Sequence, residues 1–158
     1  MNETLRPAPA PHLGEMGLEN FAPYLMNRIM GRYNESLREE LVEMGLTTPK
    51  MRALAVLSVI DGLQISQLAV YSVVEQSTLS RTLDALAGEG LVRRQADAGD
   101  HRVTRIQITE AGRAAFERLW PAMAGSYARM FAGIAEDERR AFVATLQKIL
   151  VNVREHQF

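Results

Sequence analysis

Residues 64–109 read QISQLAVYSVVEQSTLSRTLDALAGEGLVRRQADAGDHRVTRIQIT. The first part of this stretch carries two short helical patterns. One spans Ser66 to about Ser72, with Ile65, Leu68 and Ala69 on its apolar side; the other spans about Gln76 to Ala87, with Leu79, Leu83 and Leu86 at helical spacing. The few residues between them allow only a tight helix-to-helix turn. Gly88-Glu89-Gly90 supplies a stop, because glycine readily takes the left-handed conformation that ends a helix. Leu91 to Gln95 then reads as a strand, Ala96 to His101 as a turn containing Gly99, and Arg102 to Thr109 as a second strand, in which Val103, Ile106 and Ile108 are apolar and Thr104, Arg105 and Gln107 are polar.

A helix-turn-helix followed at once by a hairpin is a winged helix, so the expected fold is mainly α with a small β-hairpin wing. In such motifs the second helix enters a DNA major groove, leading with its N-terminal residues. Gln76, Ser77, Thr78, Ser80 and Arg81 lie off the Leu79–Leu83–Leu86 face. Arginine pairs with a guanine edge and glutamine with an adenine edge, each through two hydrogen bonds. Ser77 and Thr78 suit a phosphate held at a helix N-terminus. A solvated amphipathic helix capped by its own Ser and Thr accounts for the same residues. The helix alone leaves both readings open, and the hairpin behind it favours the first. That hairpin would bring Arg102 or His101 to an adjacent minor groove, where a narrow A·T tract attracts arginine.

Leu68-Ala69, Gln76-Ser77-Thr78-Leu79-Ser80-Arg81, Leu86, Gly90-Leu91-Val92-Arg93-Arg94, Asp100-His101-Arg102 and Ile108-Thr109-Glu110-Ala111-Gly112 together resemble the multiple-antibiotic-resistance regulators, the MarR family. The resemblance runs over nearly the whole chain beyond about Leu18. It implies a homodimeric winged-helix transcription factor that binds double-stranded DNA and often releases it when a small ligand binds. The family's wing often carries Asp-x-Arg twice in succession. Here the first copy is Asp97-Ala98-Gly99 and the second is Asp100-His101-Arg102. The resemblance therefore assigns the minor-groove role to Arg102, with Asp100 bracing the wing. Glu75 stands where a small capping residue is usual; an acid there suits the helix dipole and repels a nearby phosphate.

With 158 residues the chain has room for one domain and one sizeable core. It has no cysteine, which excludes disulfides, thiolate zinc sites and thiol redox sensing within the chain. No stretch is long and apolar enough to span a membrane, and no basic start precedes an apolar run, so the expected location is the cytoplasm. The formal net charge is −1, and residues 75–109 hold five arginines and five acids. DNA affinity draws on neutralised phosphates, so the fold has to sort these charges: Arg81 and Arg102 toward DNA, Asp84 and Glu89 away from it.

Residues 1–17, with Pro7, Pro9 and Pro11, read as an extended arm, either a frayed terminus or a segment lying across a partner subunit. Residues 18–158 read as a single domain, with the winged helix-turn-helix at about 47–109 and dimerisation helices at about 18–44 and 110–156. The first long helix spans Leu18 to Met44, with Pro23 in its first turn and Gly45 as its stop. Thr47-Thr48-Pro49 starts the next, which runs to about Ile60, and Asp61-Gly62 ends it. Lys50 and Arg52 near its start read as exposed charges, with phosphate contacts as the alternative. Thr109 caps a further helix in which Pro121 predicts a kink or break near Leu119. Glu136-Asp137-Glu138 opens the last, with Phe142, Leu146, Ile149, Leu150 and Val153 at apolar positions. The flanking helices are too apolar for the DNA-reading unit alone, which favours an interleaved homodimer over a monomer whose helices fold back.

The hinge between the helical region and the winged unit would be lined by Tyr24, Arg28, Tyr33, Met51, Trp120 and Tyr127. This set, with the resemblance, suggests a small aromatic or phenolic effector; each residue alone is equally a packing residue. The histidines are His12, His101 and His156, in arm, wing tip and tail, and no G-x-S-x-G or H-E-x-x-H motif is present. Neither an enzyme, a metal site nor a cofactor is expected. A helical dimer that senses a ligand or binds another protein, with little DNA binding, remains the alternative function.

Overall fold

The computed structural model describes residues 10–158. The elements run α1 (Leu13–Met16), a single 3₁₀ turn (Leu18–Asn20), α2 (Ala22–Ser36), α3 (Arg38–Glu43), α4 (Thr48–Val59), β1 (Leu63–Gln64), α5 (Ile65–Ser72), α6 (Gln76–Gly88), β2 (Val92–Ala96), β3 (Thr104–Ile108), α7 (Glu110–Met130) and α8 (Glu136–Val153). The three strands form one antiparallel sheet in the order β1-β3-β2. In its register Leu63 faces Ile106, and Val92 faces Ile108. The predicted fold class is the observed one.

The core lies in the winged unit. Leu54 and Leu57 of α4, Leu68 of α5, Leu79, Leu83 and Leu86 of α6 and Ile106 of β3 are fully buried in one cluster. Each side chain taken wholly out of water contributes roughly 2 kcal/mol. Leu37 and Leu119 join this cluster from outside the unit and tie the N-terminal helices and α7 to it.

Four expectations are corrected. Residues 1–9 of the predicted arm lie outside the described residues, but its end is not extended: residues 13–16 make one helical turn, where the Glu15 carboxylate accepts the His12 N–H at 3.1 Å. The helix predicted over 18–44 is three pieces. Phe21 is extended, and α2 begins behind it with Pro23 in its first turn. At the other end the Ser36 hydroxyl donates to the Tyr33 carbonyl at 2.7 Å, and the Leu37 N–H bonds the Asn34 carbonyl instead. One side-chain hydroxyl thus competes with the backbone ladder and breaks it there. Third, α7 continues through Pro121 as one helix, so the break expected there does not occur. The carbonyl that Pro121 leaves without its partner belongs to Glu117, an exposed residue. Fourth, the hairpin gains a third strand, β1, only two residues long.

Thr109 caps α7, accepting the Gly112 N–H at 3.0 Å, while its own hydroxyl donates to the Gly90 carbonyl at 2.6 Å. Gly112 sits directly against the segment that leads into β2: a Cβ there would come within 2.1 Å of the Leu91 carbonyl oxygen and 2.8 Å of Ile108. Gly112→Ala is therefore expected to destabilise the fold by about 1–3 kcal/mol, a fall in melting temperature of roughly 3–10 °C, read by thermal unfolding of the two proteins side by side.

Candidate DNA interface and ligand cavities

The face of α6 opposite its buried leucines is what the core leaves for contact. Gln76, Ser77 and Arg81 are exposed, and Thr78 and Ser80 are half-buried. The turn that delivers the helix is tight and strained: Val73 sits at φ 53°, a left-handed conformation that costs a β-branched residue about 1–3 kcal/mol. Arg52 donates to the Val73 carbonyl at 3.1 Å and holds the turn from α4. Lys50 is ion-paired with Glu89 beyond the far end of α6. Neither cation is the free surface charge that the sequence suggested.

Glu75 is the N-cap of α6. Its carboxylate accepts the backbone N–H groups of Ser77 and Thr78, both at 3.1 Å, and the Ser77 hydroxyl. These bonds hold its carboxyl below the usual range, the Ser77 hydroxyl contributing most. The acid thus fills the place a phosphate would take at this helix end, and engages two of the hydroxyl residues expected to meet DNA. Gln76, Ser80 and Arg81 keep their side chains without a partner among the described residues.

Of the five arginines in residues 75–109, four are engaged. Arg93 donates to Gln107 at 2.8 Å, Arg94 pairs with Asp84 at 2.7 Å, Arg105 pairs with Asp97, and Arg102 pairs with Asp100 through two bonds at 3.1 Å. Arg94 thereby neutralises the one acid within α6. Arg102 stays 91% exposed in its side chain despite its pairing, and His101 beside it is exposed.

The wing tip is built on two aspartates. Asp97 accepts the N–H groups of Gly99 at 2.8 Å and Asp100 at 3.2 Å, and Asp100 accepts the Arg102 N–H at 3.0 Å. Arg105 also donates to the Gly62 carbonyl at 3.0 Å, tying the wing to the turn before β1. Asp97 and Arg105 were not among the expected site residues. An Asx turn at Asp97 was the available signal, but its ion pair joins the wing turn to β3 and has no sequence spacing to reveal it.

The expected ligand residues do not meet in one cavity. Arg28 and Tyr33 line a cavity of about 470 Å³ between α2 and α7, with Arg32, Ser36, Ser126 and Arg129. Trp120 lines another of about 520 Å³ between α4 and α7, with Val59, Arg113 and Phe116. Tyr24 accepts a bond from Arg28 at 3.2 Å. Tyr127 packs on Phe131 and accepts from Arg139 at 2.6 Å, and Met51 is buried in the core. At the chain's end Phe158 packs on Tyr71 of α5, with ring centroids 5.5 Å apart.

A MarR-family transcriptional regulator from Silicibacter pomeroyi of known structure is 57% identical to this chain, covers 94% of it and 100% of its own length, and superposes with a TM-score of 0.89. The family model described as MarR family matches residues 46–104. The chain belongs to the MarR family. Its similarity reaches two further members of this class of transcriptional regulators. The HTH-type transcriptional repressor IacR of Pseudomonas putida is 27% identical over 143 residues, 90% of this chain and 86% of that one. The Mycobacterium tuberculosis MarR family protein Rv2887, in complex with p-aminosalicylic acid, is 27% identical, covers 80% of this chain and 96% of its own, and has a TM-score of 0.65. Among the described residues of this MarR-family chain no helix is long and apolar enough to cross a membrane.

The acid pairs of the wing have a measurable consequence. Side-chain bonds from Arg105 and Arg102 hold the Asp97 and Asp100 carboxyls below their ordinary values. A depressed folded-state pKa contributes order that is present above the unfolded pKa and lost as pH falls through the folded one. Slow hydrogen exchange at the Gly99 and Asp100 amides is expected to persist at pH ~4, where a free aspartate is half-protonated, and to collapse only below it. In Asp97→Ala, which removes the accepting oxygen, it should be lost at every pH.

Proposed function

We propose that this MarR-family chain is a sequence-specific double-stranded DNA-binding repressor that acts as a homodimer on an inverted-repeat site and is released by a small aromatic acid. One observation carries the DNA reading: α6 buries Leu79, Leu83 and Leu86 and turns Gln76, Ser80 and the unpaired Arg81 outward, at the N-terminal end that leads into a major groove. Arg81 and Gln76 have the donors for guanine and adenine edges. Arg102, held by Asp100 at the wing tip, reaches the neighbouring minor groove, with His101 beside it. Ser77 and Thr78 fix the start of the helix rather than read bases, since their donors already meet Glu75.

The homodimer is supported by what one chain leaves uncovered. No residue of α8 is buried, and Phe142, Leu150 and Val153 stand exposed along it, as do Leu25, Ile29 and Met30 on α2. Apolar surface of that extent marks an interface. A two-fold pair of α6 helices spaced by one DNA turn, roughly 34 Å, calls for a palindromic site. The effector reading is supported by the two cavities that flank α7, the helix that leads out of the wing, and by the p-aminosalicylic acid held by Rv2887.

Gel shift on DNA from upstream of the protein's own gene tests the reading. Arg81→Ala should lose about 1–3 kcal/mol on the preferred site and relax base preference there, whereas Arg102→Ala should weaken binding more uniformly across sequences. Affinity should fall steeply from low to moderate salt. Absence of any shifted complex at low salt would leave a ligand-sensing or protein-binding dimer as the function.

A further inference from the structure

We infer that residues 154–158, the segment after α8, form an autoinhibitory strap: docked on α5, they stand where the DNA backbone would pass, and DNA binding requires their release. The sequence gives α5 two faces. Leu68 and Ser72 are buried in the winged unit. Gln67, Val70 and Tyr71, with Val74 just past the helix end, recur at three- and four-residue steps on the other side. The strap lies on this second face. Phe158 packs on Tyr71 with ring centroids 5.5 Å apart, and His156 stacks on Phe158 at 5.2 Å with the ring planes 18° apart. His156 and Phe158 share the walls of one cavity with Ser66, Gln67 and Val70 of α5 and Gln76 of α6.

The position of Gln76 gives this contact its meaning. In a helix-turn-helix the first helix crosses the duplex backbone while the second enters the groove, and the first helix here is α5. A duplex that brings a base edge to Gln76 carries its nearer strand over the neighbouring face of α5. Phe158 and His156 occupy that face, so strand and strap exclude one another. The hold on the strap is one that binding can break. Among the described residues no hydrogen bond or ion pair joins residues 155–158 to α5, and Phe158 keeps 43% of its surface exposed. The ring pairs alone anchor it, and no backbone ladder has to open. A chain whose strap is docked part of the time binds DNA with its intrinsic affinity reduced by the undocked fraction. This inhibitory role rests on the repressor reading above.

Docking and DNA binding are read separately in the full-length protein. Docking is read by NMR: the Tyr71 ring resonances should move in Phe158→Ala and stay in place in Gln157→Ala. In gel shift, Phe158→Ala should bind the preferred site about two- to tenfold tighter than wild type, the factor to which an aromatic pair's ~0.5–1.5 kcal/mol converts, at unchanged melting temperature. Gln157→Ala should bind like wild type. A double variant, Tyr71→Cys with Phe158→Cys, places two thiols in a chain that has no cysteine of its own. Joining them with a short bis-maleimide locks the strap down and should weaken DNA binding roughly tenfold or more relative to the unjoined variant. Unmoved Tyr71 resonances, equal affinity in Phe158→Ala, or unchanged binding after joining would each overturn the proposal. Weaker binding by Phe158→Ala would overturn it in favour of a strap that itself contacts DNA. No DNA complex from any of these proteins at low salt removes the repressor reading and the inhibition with it, whereas moved Tyr71 resonances with DNA complexes of equal affinity remove the inhibition alone.

Discussion

The burial of Leu79, Leu83 and Leu86 in a cluster with Leu54, Leu57, Leu68 and Ile106 decides which side of α6 is left for anything else. Once those three leucines face inward, Gln76 and Arg81 have nowhere to go but out. The strained Val73 turn, the Glu75 cap and the Arg52 bond to the Val73 carbonyl set where the helix begins. The wing is hung from the same core through Ile106 and Val92, and Gly112 lets α7 start hard against it. α7 thereby packs on both the wing and, through Leu119, the core that carries α6.

Charge placement completes this arrangement. Net charge near zero does not preclude a DNA-facing surface when the acids are consumed internally. Asp84, Asp97, Asp100 and Glu89 each hold a cation from another position, and Glu75 is spent on its own helix. Among the cations left outward are Arg81 on the helix, the largely exposed Arg102 on the wing, and Arg93, whose partner Gln107 carries no charge. Glu75 is a departure with a cost: it secures the helix end at the expense of a phosphate site there, which shifts the reading toward base edges.

The parts legible in the sequence were those set by local chemistry. The leucine spacing of α6, the glycine stop at Gly90, the Thr47 and Thr109 caps and the alternation of the wing ending at Ile108 depend on neighbours a few residues away, and the family resemblance added the minor-groove role of Arg102. What the sequence hid depends on distant partners. The break at Leu37 arises from a Ser36 hydroxyl that is also hydrogen-bonded to the Ser126 hydroxyl, ninety residues on. Strand β1 is too short to show alternation and exists because β3 lies beside it. Pro121 did not break α7, and the carbonyl it leaves unpartnered belongs to an exposed residue, Glu117. For the site, the exposed residues of α6 followed from periodicity alone, whereas the pairing of Arg94 with Asp84 and of Arg105 with Asp97 did not, since those acids lie elsewhere in the fold. The aromatic ligand set scattered because composition cannot tell a cavity wall from a core: Met51 went inside, and the cavity cations Arg32 and Arg129 carried no pattern to mark them.

The central claim is that two copies of α6, fixed by this core, meet successive major grooves on one face of a duplex. Hydroxyl-radical footprinting of the protein on genomic DNA from beside its own gene measures this directly. The account predicts two symmetric protected tracts whose centres lie about 10 base pairs apart, over an inverted repeat, with narrower protection outside them where each wing sits. A single asymmetric tract, or uniform cutting at low salt with folded protein in excess, would contradict it.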